Sequence, residues 1–451
     1  MKTRILAAVA LALCASLAPA RAQIPPAPTP AARTAQTPPS NTFTLTHVAI
    51  HPVAGPDIAS GTIAVRDGKI VSVSSGSPAG SPDAAVVDGK GRHVYPSLFP
   101  PMTVLGLQEI NAVRSTVDTT ELGDINPDSR ADVAVNFDSE LLPVARSGGI
   151  LIAGITPTGG ILSGTVAAMR LDGWTREDAS LRAPAALAVV WPDLRIDRSP
   201  EARLSVRLQQ KKRDEALERL RNAFRDARAY AKARTAEGQA GVPKHDADPK
   251  MEALLPAIDG KIPVIVLADR LDQIRAAVKW AADEKLKLAI WGGADAWRMA
   301  DELAKAQVPV IVESPLDLPQ REDEAYDVRF AGAGLLDKAG VRVLFNEGGN
   351  DGSNVRNLPH LAAVSVAFGF PREKAVAAMT LEPARLLGVA DRVGSLEPGK
   401  DATFILTDGE ILDMRSRVVG AYLDGRALDL TDKQKRLYER YRNRPKPAGR
   451  P

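Results

Sequence analysis

A chain of 451 residues is long enough for two or three domains, or for one large α/β domain with a satellite. Its 45% hydrophobic and 25% charged residues are those of an ordinary globular protein, and a net charge of +3 gives no basis for binding nucleic acid or a membrane surface. The single cysteine, Cys14, excludes an internal disulfide and a thiolate-rich metal cluster.

Lys2 and Arg4 start the chain, Ile5 to Leu17 is apolar, and Ala20-Arg21-Ala22 is a small-x-small cleavage site. This predicts a cleavable export signal over residues 1–22, because roughly 13 apolar residues fall short of the 20 that span a bilayer. The expected destination is the periplasm or the medium, and the mature chain then has no cysteine. Residues 23–41 are rich in Pro, Ala and Thr and predict a flexible tether.

From 42 to 95 short alternating runs are broken by tight-turn dipeptides, Asp67-Gly68 and Asp88-Gly89. A matching β-rich piece occupies 388–428, where the turn Gly394 to Ala402 feeds Thr403 to Leu406. The two pieces predict one composite β-sandwich. Between them, over 96–387, apolar runs alternate with helical segments. The runs are Ser97 to Thr103, Ile150 to Thr156, Ala185 to Val190, Pro263 to Ala268, Lys287 to Trp291, Pro309 to Glu313 and Arg342 to Asn346. Repeated β-α units imply a parallel sheet, and a count near eight favours an α/β (β/α)8 TIM-like barrel.

A charged insertion near 199–250 opens at Ser199-Pro200, with Leu217, Leu220, Phe224, Ala227 and Ala231 on one helical face. It reads as a long solvated helix packed on the barrel, with a partner-binding helix as the alternative. Residues 429–451 predict a basic helix and tail.

Three stretches resemble a known family: HVYPSLFPPMTVLGLQEI from His93, Gly352 to Pro359 after a strand, and MTLEPARLLGVADRVGSLEPGKDATFILTDG from Met379 to Gly409. They are similar to amidohydrolases of the imidazolonepropionase-like group. GLQEINAVRSTVDTTELGDINP from Gly106 resembles an exported branch of it. The resemblance spans about Thr42 to Leu428. It implies a hydrolase acting on non-peptide C–N bonds, with one or two divalent ions at the strand ends.

The implied ligands are a His-x-His on strand 1, a His each on strands 5 and 6, and an Asp on strand 8. Here those places read Met102 and Val104, then Leu267, then Trp291, with Asn346 or Glu347 at the last. The five histidines, at 47, 51, 93, 245 and 360, offer no pair at metal-binding spacing. No cofactor is expected, and a divalent ion only through an atypical carboxylate site. Glu109, Asp269, Asp295, Glu313, Glu347 and Asp351 fall at or past strand ends, where two close carboxyls would divide acid and base roles.

The candidate catalytic residues are therefore Asn346, Glu347 and Asp351. Glu109, Trp291, Asn354 and Arg356 are the candidates for substrate binding, Arg356 as a clamp for an anionic group or as a loop anchor. Gly159 to Gly164 reads as a tight turn rather than an anion nest, and Ser163 has no nearby base. Two readings stand: a hydrolase with an atypical site, or an exported metal-free pseudoenzyme that binds a small molecule.

Overall fold

The computed structural model describes residues 41–76, 84–237, 244, 246–313 and 315–444. The export signal, nearly all of the tether, His245 and the end of the basic tail lie outside them.

The first sheet takes strands from both ends of the described chain. β1 (Phe43–Ile50), β2 (Ile58–Arg66), β3 (Lys69–Ser75), β4 (Ala85–Asp88) and β5 (His93–Pro96) come early. β13 (Phe404–Thr407), β14 (Val418–Leu423) and β15 (Arg426–Ala427) come late. Their order is β15-β14-β13-β5-β1-β2-β3, with β4 beside β1. The join is β5 to β13, antiparallel, with Phe404 opposite Pro96 and Thr407 opposite His93. Asp67 and Gly68 turn β2 into β3 with φ of 51° and 78°, the paired positive values of a type I′ turn. Phe43, Phe404 and Tyr422 cluster beneath this sheet, the rings of Phe43 and Tyr422 stacking at 4.7 Å.

The second sheet has seven strands. They are β6 (Ile152–Ile155), β7 (Leu162–Arg170), β8 (Ser180–Val190), β9 (Val264–Ala268), β10 (Leu288–Gly292), β11 (Val310–Glu313) and β12 (Val343–Asn346), adjacent in chain order. From β8 to β12 every pairing is parallel, as the β-α repeats predict. β7 differs: it runs antiparallel to both β6 and β8. The all-parallel expectation is corrected here. The connections around β7 are short, and a parallel crossover needs a dozen or more residues. Gly159 and Gly160 make the first turn, while Ser163 and Gly164 already lie in β7.

The expected first strand is also irregular. Leu98 and Thr103 form isolated parallel bridges to Ile150 and Ile155, but no continuous ladder. Pro96, Pro100 and Pro101 remove the donors such a ladder would use. The segment is nonetheless gripped on both sides. Thr103 N donates to Gly154 O at 2.7 Å, and Val104 N donates to Gly348 O, beyond β12, at 3.1 Å. The result is a TIM-barrel-like sheet in which an irregular stretch spans from β6 to β12.

The charged helix runs Val206–Ala236, capped by Ser205 rather than Ser199, with Leu220, Ala223, Phe224 and Ala227 buried. Phe224 meets Trp280 of the helix Leu271–Asp283 edge-on at 5.2 Å, so the long helix packs against the helix that links β9 to β10. The basic helix Lys433–Arg442 buries none of its residues. Among the described residues no helix is long and apolar enough to cross a membrane.

Candidate functional site at the strand ends

Alternation along each strand decides what points inward. Ile265, Ala289, Ile311 and Leu344 are buried in one apolar cluster with Phe99 and Met102. Two residues on, the same face carries Leu267, Trp291, Glu313 and Asn346. The strand-end layer is therefore set by those four side chains, at the end of the sheet where barrel chemistry concentrates.

Asn346 is fully buried and faces Met102. Its Oδ1 accepts from Met102 N at 2.9 Å and its Nδ2 donates to Met102 O at 2.8 Å. A side-chain amide here replaces two rungs of backbone ladder between β12 and the proline-interrupted segment. At neutral pH an amide offers the donor and the acceptor this geometry needs, which an ionised carboxylate does not.

Glu313, the register partner of Asn346, ends β11. One carboxylate oxygen accepts from the indole N–H of Trp291, and the other from Gly349 N at 3.0 Å. Gly349 must be glycine: a Cβ there would stand 2.4 Å from the Trp291 ring and 2.6 Å from Glu313 Oε1. Burial pushes the Glu313 carboxyl up to about 6, and the bonds from Trp291, Gly349 and Asn346 hold it from rising further. Burial also raises Glu347, to about 7, with the Glu313 charge as the next cause. Asp269, just past β9, is raised by burial as well. Its Oδ1 lies where a Cβ on Gly292 would meet it at 2.4 Å, so that glycine lets the carboxylate approach the end of β10. The arrangement places two carboxyl groups whose proton affinity burial raises, Glu313 and Glu347, at neighbouring strand ends.

The sequence-derived candidates divide. Trp291 and Asn346 meet at Glu313, left among the strand-end carboxylates, while Glu347 is linked to Glu313 by charge alone. Asp351 caps the short 3-10 helix Gly352–Asn357, accepting from Ser353 N at 2.9 Å, and its charge reaches Glu347. Glu109 accepts from Ser139 Oγ at 2.5 Å and from Glu140 N at 3.1 Å, which anchors the start of the helix Leu141–Ser147. Asn354 and Arg356 are exposed. Arg356 lies so near Gly148 that a Cβ there would be 2.7 Å from its own, at the turn leading into the start of β6. Asp295 accepts from Leu271 N at 3.0 Å and from both Nη groups of Arg321, fixing the helix after β9.

The divalent ion that the resemblance implies finds few donors in this layer. Met102 brings a buried thioether, Trp291 an N–H donor, and Asn346 an amide whose two ends are already bonded. Among the described residues, no three His, Cys, Asp or Glu side chains are grouped so as to hold a metal ion. The donor set does not fit a divalent ion. The described histidines lie elsewhere. His51 joins Asp57 at 2.6 Å and His93 at 2.9 Å, His47 joins Asp88 at 3.1 Å, and His360 sits on the helix Leu358–Ala367.

The amidohydrolase family model matches residues 267–431. Amidohydrolase tasK of Hapsidospora irregularis is 22% identical over 391 residues, covering 81% of this chain and 40% of that protein. The 5-methylthioadenosine/S-adenosylhomocysteine deaminase of Symbiobacterium thermophilum is 37% identical over 86 residues, 16% of this chain and 19% of that one. The chain thus spans less than half the length of either curated relative. Among solved structures, an amidohydrolase from Thermotoga maritima superposes with a TM-score of 0.76 at 24% identity, over 86% of this chain and 99% of that one. An adenosine deaminase from Xanthomonas campestris with bound zinc does so with a TM-score of 0.50 at 15% identity, over 90% and 98%. At these identities the structural likeness speaks to fold. The family match is confined to residues 267–431, and the likeness to solved structures over the rest of the chain is one of fold.

Proposed function

We propose that the protein is an exported hydrolase of the imidazolonepropionase-like branch that cleaves a non-peptide C–N bond without the family's metal centre. The observation that carries this reading is that Glu313, bonded to Trp291 and Gly349, ends one strand and Glu347 follows the next, within reach of the Glu313 charge, with carboxyls raised to about 6 and about 7. Glu313, held ionised by Trp291 and Gly349, takes a proton from water as its oxygen bonds the substrate carbon. Glu347, still protonated, gives its proton to the departing nitrogen as the C–N bond breaks. Two carboxyls with separated affinities for one proton are what acid–base cleavage needs. The test is a screen of cyclic amides with chelator-treated protein. Turnover that falls at least about a hundredfold in Glu313→Gln and Glu347→Gln is expected; turnover unchanged by both substitutions rejects the assignment.

One observation favours a second reading, an exported metal-free pseudoenzyme that binds a small molecule. Met102, Leu267 and Trp291 put packed apolar side chains where the resemblance implies metal-holding imidazoles. Saturable ligand binding in a thermal-shift screen, with no turnover of any compound that binds, would select it over the first.

A further inference from the structure

The opposite end of the second sheet holds a larger cavity, of about 610 Å³. It lies under the starts of β9 to β12, where barrel residues ordinarily serve stability rather than chemistry. Val278, Leu286, Val308 and Leu386 give it an apolar floor. Arg182, Lys261, Lys287, Arg342 and Arg385, each from a different part of the chain, supply its charge, and no carboxylate lines it.

The partners of these cations leave an excess. Arg182 is committed to structure, donating to Gly388 O at 3.0 Å and Lys261 O at 2.9 Å. Lys261 pairs with Asp259 at 2.8 Å. Arg385 bonds Glu382 at 2.5 Å, and Arg342 reaches that same carboxylate only at 3.7 Å. Lys287 has no carboxylate within ion-pair distance among the described residues. Five positive groups thus face two negative ones, both set outside the lining. A purely apolar cavity would take a neutral ligand, and exposed lysines alone would take any anion. Convergent cations over an apolar floor select a ligand that has both parts.

We propose that this cavity binds a small amphipathic organic anion, a carboxylate or phosphate head on a short apolar body. The head is held by Lys287 and Arg342, and the body lies on Leu286, Val308 and Leu386. The site is separate from the Glu313–Glu347 layer and independent of any activity there.

Isothermal titration of the full chain with octanoate, octyl phosphate, octanol and inorganic phosphate tests the proposal. Octanoate and octyl phosphate should each bind one per chain, more weakly as salt rises, and at least about tenfold tighter than octanol or inorganic phosphate. Lys287→Glu with Arg342→Glu should lose this binding. Ala282→Trp, which fills the cavity and leaves its charges, should lose it too and guards against misfolding of the charge variant. Octanol binding as tightly as octanoate, binding retained in Ala282→Trp, or multiple non-stoichiometric binding would each overturn the proposal.

Discussion

Asn346 holds Met102 by both ends of its amide, at 2.9 and 2.8 Å, across 244 residues of chain. That relationship explains how the strand-end layer keeps its shape although prolines break the segment on one side of it. It also commits the side chain at the strand-8 ligand place to holding the sheet together.

A carboxylate at this position should therefore be harmful. Asn346→Asp keeps the shape but sets an ionised oxygen against Met102 O, in a fully buried position. A loss of about 2 to 4 kcal/mol in unfolding free energy is expected at pH 7, shrinking at acid pH as the carboxyl takes a proton and becomes a donor. Urea denaturation at pH 4.5 and pH 7 reads this directly; equal losses at both would contradict it.

Glu347 makes stability depend on pH in a stated direction. Its carboxyl is raised from 4.5 to about 7 in the folded chain, so folding favours the protonated form. That contribution is complete below pH 4.5 and disappears as pH climbs through 7. Glu347→Gln cannot ionise, so its stability relative to the parent should rise by about 1 kcal/mol between pH 4.5 and pH 8, a figure discounted for the solvent the side chain still meets. Thermal melts at those two pH values decide it.

Much of this was legible in sequence. The parallel run β8 to β12 follows from apolar segments alternating with helices, and the inward row Leu267, Trp291, Glu313, Asn346 follows from period-two alternation once the strands are placed. β7 was not legible, because Leu162 to Arg170 begins inside a glycine-rich stretch that reads as a turn. Glu313 looked like any other strand-end carboxylate. Only register shows that it stands opposite Asn346 and beneath the Trp291 N–H. Glu109 and Asp351 looked equally placed, yet each spends its oxygens on backbone or hydroxyl donors of a neighbouring helix.

Trp291→Phe isolates the indole N–H. The ring still fills the layer, but Glu313 loses one of the donors that hold its charge, so its proton affinity should rise. Carboxyl-carbon NMR should place the Glu313 titration higher by up to about one pH unit, with a stability loss of about 1 to 2 kcal/mol. A titration that stays in place would show that the N–H does not stabilise the carboxylate.

Gly154 tests the grip on the irregular segment. A Cβ there would lie 1.8 Å from Pro101 O and 3.0 Å from Leu387 Cδ1. Gly154→Ala should cost about 3 kcal/mol, because the backbone of the segment must move away from β6. Chemical denaturation of the purified variant measures this; a loss below about 1 kcal/mol would mean the approach is looser than described.

The pH–rate profile for hydrolysis of a C–N substrate by chelator-treated protein separates a carboxyl pair from a metal centre. A carboxyl pair gives a bell with limbs near 6 and near 7, unchanged by chelator, losing its lower limb in Glu313→Gln and its upper limb in Glu347→Gln. Activity that vanishes with chelator and returns with added zinc, on a profile indifferent to both substitutions, would contradict it.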